Sequence, residues 1–546
     1  MKTCIATALT VLAAFSSSPA GETAEAPQIK TQVLKASWQF SIDEGKTFID
    51  ALPPTAKTLM ARATFTVDDP AAVAGLWLTH VDEKLPAPLA PTCIASAFAM
   101  AGHREARDKN CGASPLWTYT KVQVNGKDIT GPQEAMVYIA LPVEPAAVLV
   151  KGANTLTVSG TLWSLATGKN PCPTKPLQLL AAAPQPAAVQ GGPLLGMIDA
   201  GCPTVNCATP IPAIVTVTAR PTEPAGAEVS ASSQLGLYHQ VKVPLPGGVR
   251  KFTYSITSRV GSHEAKAGPF AARLPAADGK GFKLVAMGNT RCHVYTVRNG
   301  PILAAAMRAV DPDVFVHVGQ VVELATWDYH WEPFFFNQYR PLVSAVPTYL
   351  SPDGGDHIGR VFRAFGIGGD DKPMNWTAAF GDVRLIGCDG AYEWKAGNDN
   401  AQWLESVLKA AKEKYIIAFD HFPGYTDGYQ SSPHGGAGER TFPPIKQCRE
   451  LILPMLGKYK AAALVSAYDY NYERLEPTPD KGVTCIIVGA GGAKTYCQGS
   501  PNEFTKTAKW IRVTSFVQFE LKADGLEMTA IGIDGKPIDS KTFKPR

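Results

Sequence analysis

The 546-residue chain has little net charge: 52 basic against 48 acidic residues, an excess of +4. So small a balance argues against a dedicated nucleic-acid binder. Past the first fifteen residues no apolar run is long enough to span a membrane, which takes about 20 residues. No Cys-x-x-Cys pair recurs at zinc-site spacing, so a structural zinc is not expected. There is no Gly-x-Ser-x-Gly nucleophile elbow. Gly489 to Gly492 follows a strand and reads as a tight turn, not a phosphate loop or a dinucleotide fingerprint.

What is present is apolar and rich in turns. Hydrophobic residues make up 45% of the chain and charged residues 18%, enough for sizeable cores. With 49 Gly and 44 Pro, many turns are expected in place of a helical bundle. The length suits several domains.

The first segment reads as a secretory leader over 1–20. Lys2 is the positive start, Cys4 to Phe15 the apolar run, and Ser18-Pro19-Ala20 offers small residues for cleavage. The mature chain is therefore expected to be secreted or periplasmic. Of the 11 cysteines Cys4 lies in this leader, and the ten left suggest disulfides in an oxidising compartment. Cys202 with Cys207, Cys93 with Cys111, and Cys485 with Cys497 flank short segments, but spacing does not fix connectivity.

Residues 28–163 read as a β-sandwich, jelly-roll-like and similar to galactose-binding modules. Ala63 to Val67 alternates, Asn125-Gly126 makes a turn, and Val150 to Val158 follows as a further strand. Such modules sit beside many glycoside hydrolases, so a glycan or a surface protein is the partner weighed here; packing alone is the plainer role. Residues 164–192 are Pro/Ala-rich and read as a linker. Residues 193–275 read as a second, fibronectin III-like sandwich, with strands at Ile214 to Thr218, Tyr238 to Val243 and Phe252 to Ile256. From 281 to 546 strands and helices alternate, which defines a layered α/β domain. A helix is expected over Gln402 to Glu413.

In α/β sheets, sites gather at the carboxyl ends of strands. Those ends read Gly288-Asn289-Thr290, Gly319-Gln320-Val321-Val322-Glu323, and Ser351-Pro352-Asp353-Gly354-Gly355-Asp356-His357. Next come His421-Phe422-Pro423-Gly424-Tyr425 and Tyr468-Asp469-Tyr470-Asn471-Tyr472-Glu473-Arg474. From about residue 185 onward these frames, with the WDYHWEPFFFNQYRPL run and Gly489-Ala490-Gly491-Gly492-Ala493, resemble the calcineurin-like metallophosphoesterases of the purple acid phosphatase branch. The resemblance implies a metal-ligand position at Asn289, Gln320, Gly354, His421, Tyr468 and Tyr470, and a catalytic His at Gly355. Only His421 keeps a family ligand type.

A two-metal site clamps attacking and leaving oxygens between ions about 3.5–4 Å apart. A bridging carboxylate offsets their repulsion, and a neutral Gln does not. No cofactor is expected on this reading; an active site would use iron, zinc or manganese. The function expected is an exported, catalytically degenerate relative acting by binding or structure. The alternative is a divergent phosphoesterase with a rebuilt site. A one-residue shift would put Asp356 among the ligands and His357 in the acid role, with His421, Tyr468 and Tyr470 holding one iron. His293 lies near the first strand end and reads as an ordinary surface or core histidine. A carbohydrate-binding surface protein is the second alternative.

Overall fold

The computed structural model describes residues 30–50 except 31 and 42, 58–79, 116–163 except 131–132, 136–137 and 142–144, 178–276 except 200–201, 278–290, 299–322, 331–353, 356, 360–365, 373–428, 442–476, 482–499 and 506–546. Residues 1–20, expected to be a leader, and Cys93, Cys111, His293, Gly354, Gly355 and His357 lie outside these residues.

The first module is two antiparallel sheets. One runs in the order Gln32–Leu34, Gln178–Ala182, Gly75–Thr79, Tyr138–Leu141. The other runs Ala36–Ser41, Thr58–Val67, Gly152–Trp163, Leu116–Val124, Lys127–Thr130. Alternation decides which face is buried. Ala61, Ala63, Phe65 and Val67 turn inward, with Val122, Val124, Leu156 and Val158 beside them. Leu76, Leu179 and Ala181 of the first sheet close the same core. Asn125 (φ 51°) and Gly126 (φ 78°) both take the left-handed conformation that a tight two-residue hairpin demands. The Asn125 amide also donates 2.8 Å to Asn154 Oδ1, fixing the turn to the neighbouring strand.

The Pro/Ala-rich stretch is not a linker throughout. Its residues Gln178–Ala182 form a strand between Gln32–Leu34 and Gly75–Thr79. Leu179 and Ala181 alternate into the core, so hydrophobic burial overrides the flanking prolines. Gln190–Asp199 then opens the second module.

That module is organised by one 22-residue strand, Cys202–Glu223. Its first half pairs with Gln190–Asp199 and Gly236–Lys242, and its second half with Val229–Ser232 and Lys251–Val260. Pro210 and Pro212 mark the change of partners, where the register of the Gly236–Lys242 pairing shifts between Ala208 and Ala213. Proline cannot donate to a ladder, so it stands where pairing breaks. Val205, Val215, Val217, Val241, Phe252 and Ile256 form the core.

In the α/β domain two mixed sheets face each other. One has the order Thr348–Leu350, Val314–His317, Lys283–Met287, Ser515–Lys522, Gly525–Gly532, Pro537–Phe543. The other runs Trp376–Phe380, Val383–Gly387, Tyr415–Asp420, Ala463–Ser466, Thr484–Val488, Tyr472–Glu476, Lys506–Ile511. Leu284, Val316, Leu385, Ile417, Val465 and Ile486 share one core between them. On the far side of the second sheet Ile386, Ile416 and Leu464 bury against Leu404, Leu408, Leu453 and Leu456 of two helices, Asp399–Ala410 and Leu453–Lys458. The first of these starts three residues earlier than the spacing predicts, because the Asn398 side chain accepts the Ala401 N–H at 3.0 Å and caps it. The FFF run is core: Phe334, Phe335 and Phe336 are buried, and the Tyr339 hydroxyl donates 2.8 Å to Gly491 O.

Charge joins the second module to the α/β domain. Arg273 pairs with Asp313 at 2.6 Å and also with Asp311, and Asp313 accepts the Lys283 N–H at 2.9 Å. Glu332 accepts the Gly191 N–H at 2.7 Å, and Arg340 donates 2.7 Å to Gly192 O.

Two of the disulfides considered above are not formed, since Cys202, Cys207, Cys485 and Cys497 are all thiols. Cys202 and Cys207 sit five positions apart on one strand, so their side chains point to opposite faces about 16 Å apart. A disulfide needs Cα atoms within about 7 Å. Cys485 is buried within Thr484–Val488, whereas Cys497 is exposed. Among the described residues no helix is long and apolar enough to cross a membrane.

Candidate functional site at the strand ends

Three parallel strands of the first sheet (Lys283–Met287, Val314–His317, Thr348–Leu350) and three of the second (Tyr415–Asp420, Ala463–Ser466, Thr484–Val488) end at one seam. Backbone bonds stitch it. The Gly288 N–H donates to Val488 O, Gly491 to Gly288, Asn289 to Gly319, and Ala467 to His421. Small residues allow this approach: a Cβ on Gly288 would stand 2.5 Å from the Ala467 methyl.

Asn289 is fully buried with φ 52°. Its amide donates 2.9 Å to Gly489 O, while Oδ1 has no hydrogen-bond partner among the described residues. Gln320 (φ 51°) is half-buried and accepts the Tyr470 hydroxyl at 2.6 Å. Tyr470 is buried and stacks on Tyr496, centroids 4.6 Å apart. Tyr468 (φ 68°) packs on His421 at 6.0 Å, on Phe422 at 5.3 Å and in parallel with Phe442 at 6.0 Å. Asn289, Gln320 and Tyr468 thus all adopt left-handed backbone, which is rare for a non-glycine residue and rarest for a bulky one. Their strand-end turns are held by the surrounding hydrogen bonds in spite of that cost.

His421 is buried, and its Nδ1 lies 2.8 Å from Val318 O. A carbonyl only accepts, so Nδ1 carries the proton and Nε2 the lone pair. Gly319 (φ 80°) makes room for the ring: a Cβ there would lie 2.5 Å from His421 Nδ1. His317, also buried, contacts the Thr290 hydroxyl at 3.0 Å, and burial pushes its pKa down to about 3.

Asp356 does not point outward as a ligand would. Its carboxylate accepts the Val321 N–H at 3.0 Å, and its own N–H donates 2.6 Å to Asp353 Oδ1. Burial, reinforced by Asp353, holds its carboxyl well above the usual carboxylate range. The structure therefore brings Asn289, Gln320, His421, Tyr468 and Tyr470 to one seam, with Asp356 spanning the loops beside it.

A second polar cluster was not singled out in the sequence. Glu473 is fully buried and accepts the Thr426 hydroxyl at 2.9 Å and the Asp427 N–H at 2.9 Å. The same Thr426 hydroxyl lies 2.9 Å from Asp469 as well, and Thr507 donates to Asp427. Burial first, then Asp427, drives the Glu473 carboxyl well above its ordinary range. Its neighbours turn elsewhere: the Tyr472 hydroxyl and Arg474 Nε reach Asp539 at 2.8 and 2.7 Å. The Asn-Tyr-Glu-Arg frame was a readable signal for this cluster; Asp539 had none.

The metal pair that the fold implies does not fit the donors described here. Asn289 and Gln320 are neutral amides, and the Gln320 oxygen is already engaged by a phenol. Nothing there offsets the repulsion of two divalent ions. Among the described residues no group of three or more His, Cys, Asp or Glu is placed to hold a metal ion.

Comparisons with known proteins place the architecture. No family model matches the chain. Tartrate-resistant acid phosphatase type 5 of Homo sapiens is 23% identical over 235 residues, covering 37% of this chain and 68% of that protein. Probable inactive purple acid phosphatase 27 of Arabidopsis thaliana is 22% identical over 219 residues, covering 33% of this chain and 35% of that one. Among solved structures, purple acid phosphatase PPD1 from yellow lupin (Lupinus luteus) seeds matches with a TM-score of 0.58 at 13% identity, over 89% of this chain and 93% of the other. The fold is a calcineurin-like phosphoesterase fold of the purple acid phosphatase type. It comprises an N-terminal β region and a phosphoesterase domain, as the strand-end frames led one to expect.

Proposed function

We propose that this chain is an exported purple acid phosphatase-like protein whose phosphoesterase domain is catalytically degenerate and acts by binding or as a structural element. One observation carries the reading: Gln320, where the family resemblance implies a bridging Asp, presents a neutral amide that accepts the Tyr470 hydroxyl at 2.6 Å. Asn289 repeats the loss of charge on the adjacent strand. The parts of the frame that are retained, Tyr472 and Arg474 on Asp539, serve packing. The similarity to a plant protein described as probably inactive fits this reading. The leader supports export to the periplasm or the exterior. Short alternating strands support a jelly-roll-like first module and a fibronectin III-like second one.

A second reading, a divergent phosphoesterase with a rebuilt site, is favoured by His421 alone: its tautomer is set by Val318 O in the way that orients a metal-ligating histidine.

The test is elemental analysis of the purified full chain, with turnover of a generic phosphomonoester and phosphodiester. Substoichiometric metal and no turnover are expected. Stoichiometric iron, zinc or manganese with turnover would establish the second reading. The Asn289→Asp/Gln320→Asp double variant, assayed in parallel, asks whether restored carboxylates recover metal binding.

A further inference from the structure

Arg546 gathers three chain segments at the end of the α/β domain opposite the seam. Its N–H donates 3.0 Å to Lys414 O and its Nε 2.7 Å to Glu413 O, while the other two guanidinium nitrogens reach Tyr459 O at 3.4 Å and Ala411 O. Residues 409–414, 458–460 and 544–546 therefore meet at one place. They carry Lys409, Lys412, Lys414, Lys458, Lys460 and Lys544, all six exposed. Lys458 pairs with Glu405 at 2.7 Å, and Lys414 with Asp382 at 2.8 Å. Glu413 is taken by Arg384 at 2.6 Å. The ammonium groups of Lys409, Lys412, Lys460 and Lys544 make no ion pair or hydrogen bond among the described residues.

Lysines in the last turn of a helix commonly offset its dipole. Lys409 and Lys458 stand in such turns, but Lys412, Lys460 and Lys544 lie past the helix ends. The carbonyls of Ala411 and Tyr459 are already met by Arg546. The surplus charge is thus not spent on the fold. Charges this close act together, since screening at about 0.1 M salt takes about 10 Å. An ammonium is a point charge on a flexible stem, without the fork that selects one bound anion. Three segments converging on Arg546 spread these charges over an area and not along one strand, which suits a flat partner. We infer that this patch docks the protein on an anionic lipid bilayer. The docking fixes an orientation. Strand Tyr415–Asp420 starts after Lys414 and ends before His421, and Ala463–Ser466 runs between Lys460 and Tyr468. At about 3.3 Å per residue the seam stands about 20 Å from the patch and faces away from the membrane. The inference goes beyond the role proposed above and holds whether or not the seam binds metal.

The test sediments the purified full chain with vesicles of phosphatidylcholine alone and with vesicles in which a third of the lipid is phosphatidylglycerol. Binding to the second kind only is expected, with loss between about 0.1 M and 0.5 M salt. The Lys412→Gln/Lys460→Gln/Lys544→Gln variant is expected to bind about tenfold more weakly or worse, from the worth of a lysine near an anionic surface. These side chains have no partners to lose, and an unchanged melting temperature shows that the variant folds. Lys35→Gln/Lys151→Gln, on the exposed surface of the first module, is expected to bind like the parent. No binding to either vesicle, or equal binding to both, overturns the inference. Binding that the triple variant keeps also overturns it. A chain that ignores both vesicles but is held on heparin and released by salt has an anionic polymer as its partner, which overturns the bilayer as well.

Discussion

The Tyr470 hydroxyl donates a 2.6 Å hydrogen bond to Gln320 Oε1 and so ties together two strand ends 150 residues apart in the chain. The bond crosses from the second sheet to the first. Tyr470→Phe keeps the stack on Tyr496 and removes the bond. Because Gln320 is half-buried and its amide can turn to water, the expected loss is about 1 kcal/mol, read from the midpoint of urea unfolding.

Asn289→Asp alone places a carboxylate at a fully buried position without a counter-charge. Several kcal/mol of destabilisation are expected at neutral pH. The new acid should titrate upward, so the loss shrinks as the pH falls and the carboxyl is protonated. Thermal unfolding of the variant and parent at pH 5 and pH 8 checks the sign: a variant equally stable at both would contradict the burial.

Gly319→Ala meets two obstacles. The residue has φ 80°, and a Cβ would stand 2.5 Å from His421 Nδ1. The ring must leave the Val318 carbonyl or the strand end must shift. A cost above about 2 kcal/mol is expected, combining left-handed strain with overpacking. A melting temperature within a degree or so of the parent would show that the seam is softer than its hydrogen bonds imply.

His239 gives the second module a pH dependence. It is buried between the Thr209 hydroxyl at 3.0 Å and the Ser233 hydroxyl at 2.8 Å, and burial pushes its pKa down to about 4. The unfolded chain takes up a proton near pH 6.5 and the folded chain only near pH 4. Stability is therefore full above about pH 6.5 and falls as the pH drops to about 4, by about 3 kcal/mol. His239→Gln should flatten that part of the profile, as measured by urea unfolding between pH 4 and pH 7.

Asp313→Ala removes the acceptor shared by Arg273, Arg250 and the Lys283 N–H. Arg273 keeps Asp311 but loses its more buried partner, and the Lys283 N–H loses its acceptor, so a loss of about 1–3 kcal/mol is expected. The loss falls on the junction of the second module with the α/β domain. Calorimetry should show the main transition broaden or split, and a single sharp transition would mean that other contacts couple the two.

How much of this was readable in advance depended on whether the signal was local. The Asn125-Gly126 turn is a two-residue motif, and it forms as written. The strand-end frames of the α/β domain are runs of buried strand closed by Gly, and they meet at one seam. The neutral side chains at 289 and 320 were legible because they occupy marked positions. Asp356 was not. Whether it faces the seam or the Val321 backbone depends on the path of a loop, which no spacing encodes. Arg474 lay in a recognisable frame, yet its partner Asp539 is 65 residues further on. The strand Gln178–Ala182 was obscured by prolines on either side, although Leu179 and Ala181 carry the alternation. Cys202 and Cys207 misled because proximity in sequence suggests a loop, and an extended strand separates them.

That late strand bears on how the protein can be divided. Gln178–Ala182 lies between Gln32–Leu34 and Gly75–Thr79, so it bridges two strands that do not pair with each other. A fragment ending at 163, where the alternating pattern stops, would expose the ladder edge of Gly75–Thr79 and leave Gln32–Leu34 without a neighbour. Unpaired edges of this kind recruit other chains. A soluble version of the first module should therefore be cut after Ala182, not before it, and the shorter piece is the one to expect in inclusion bodies.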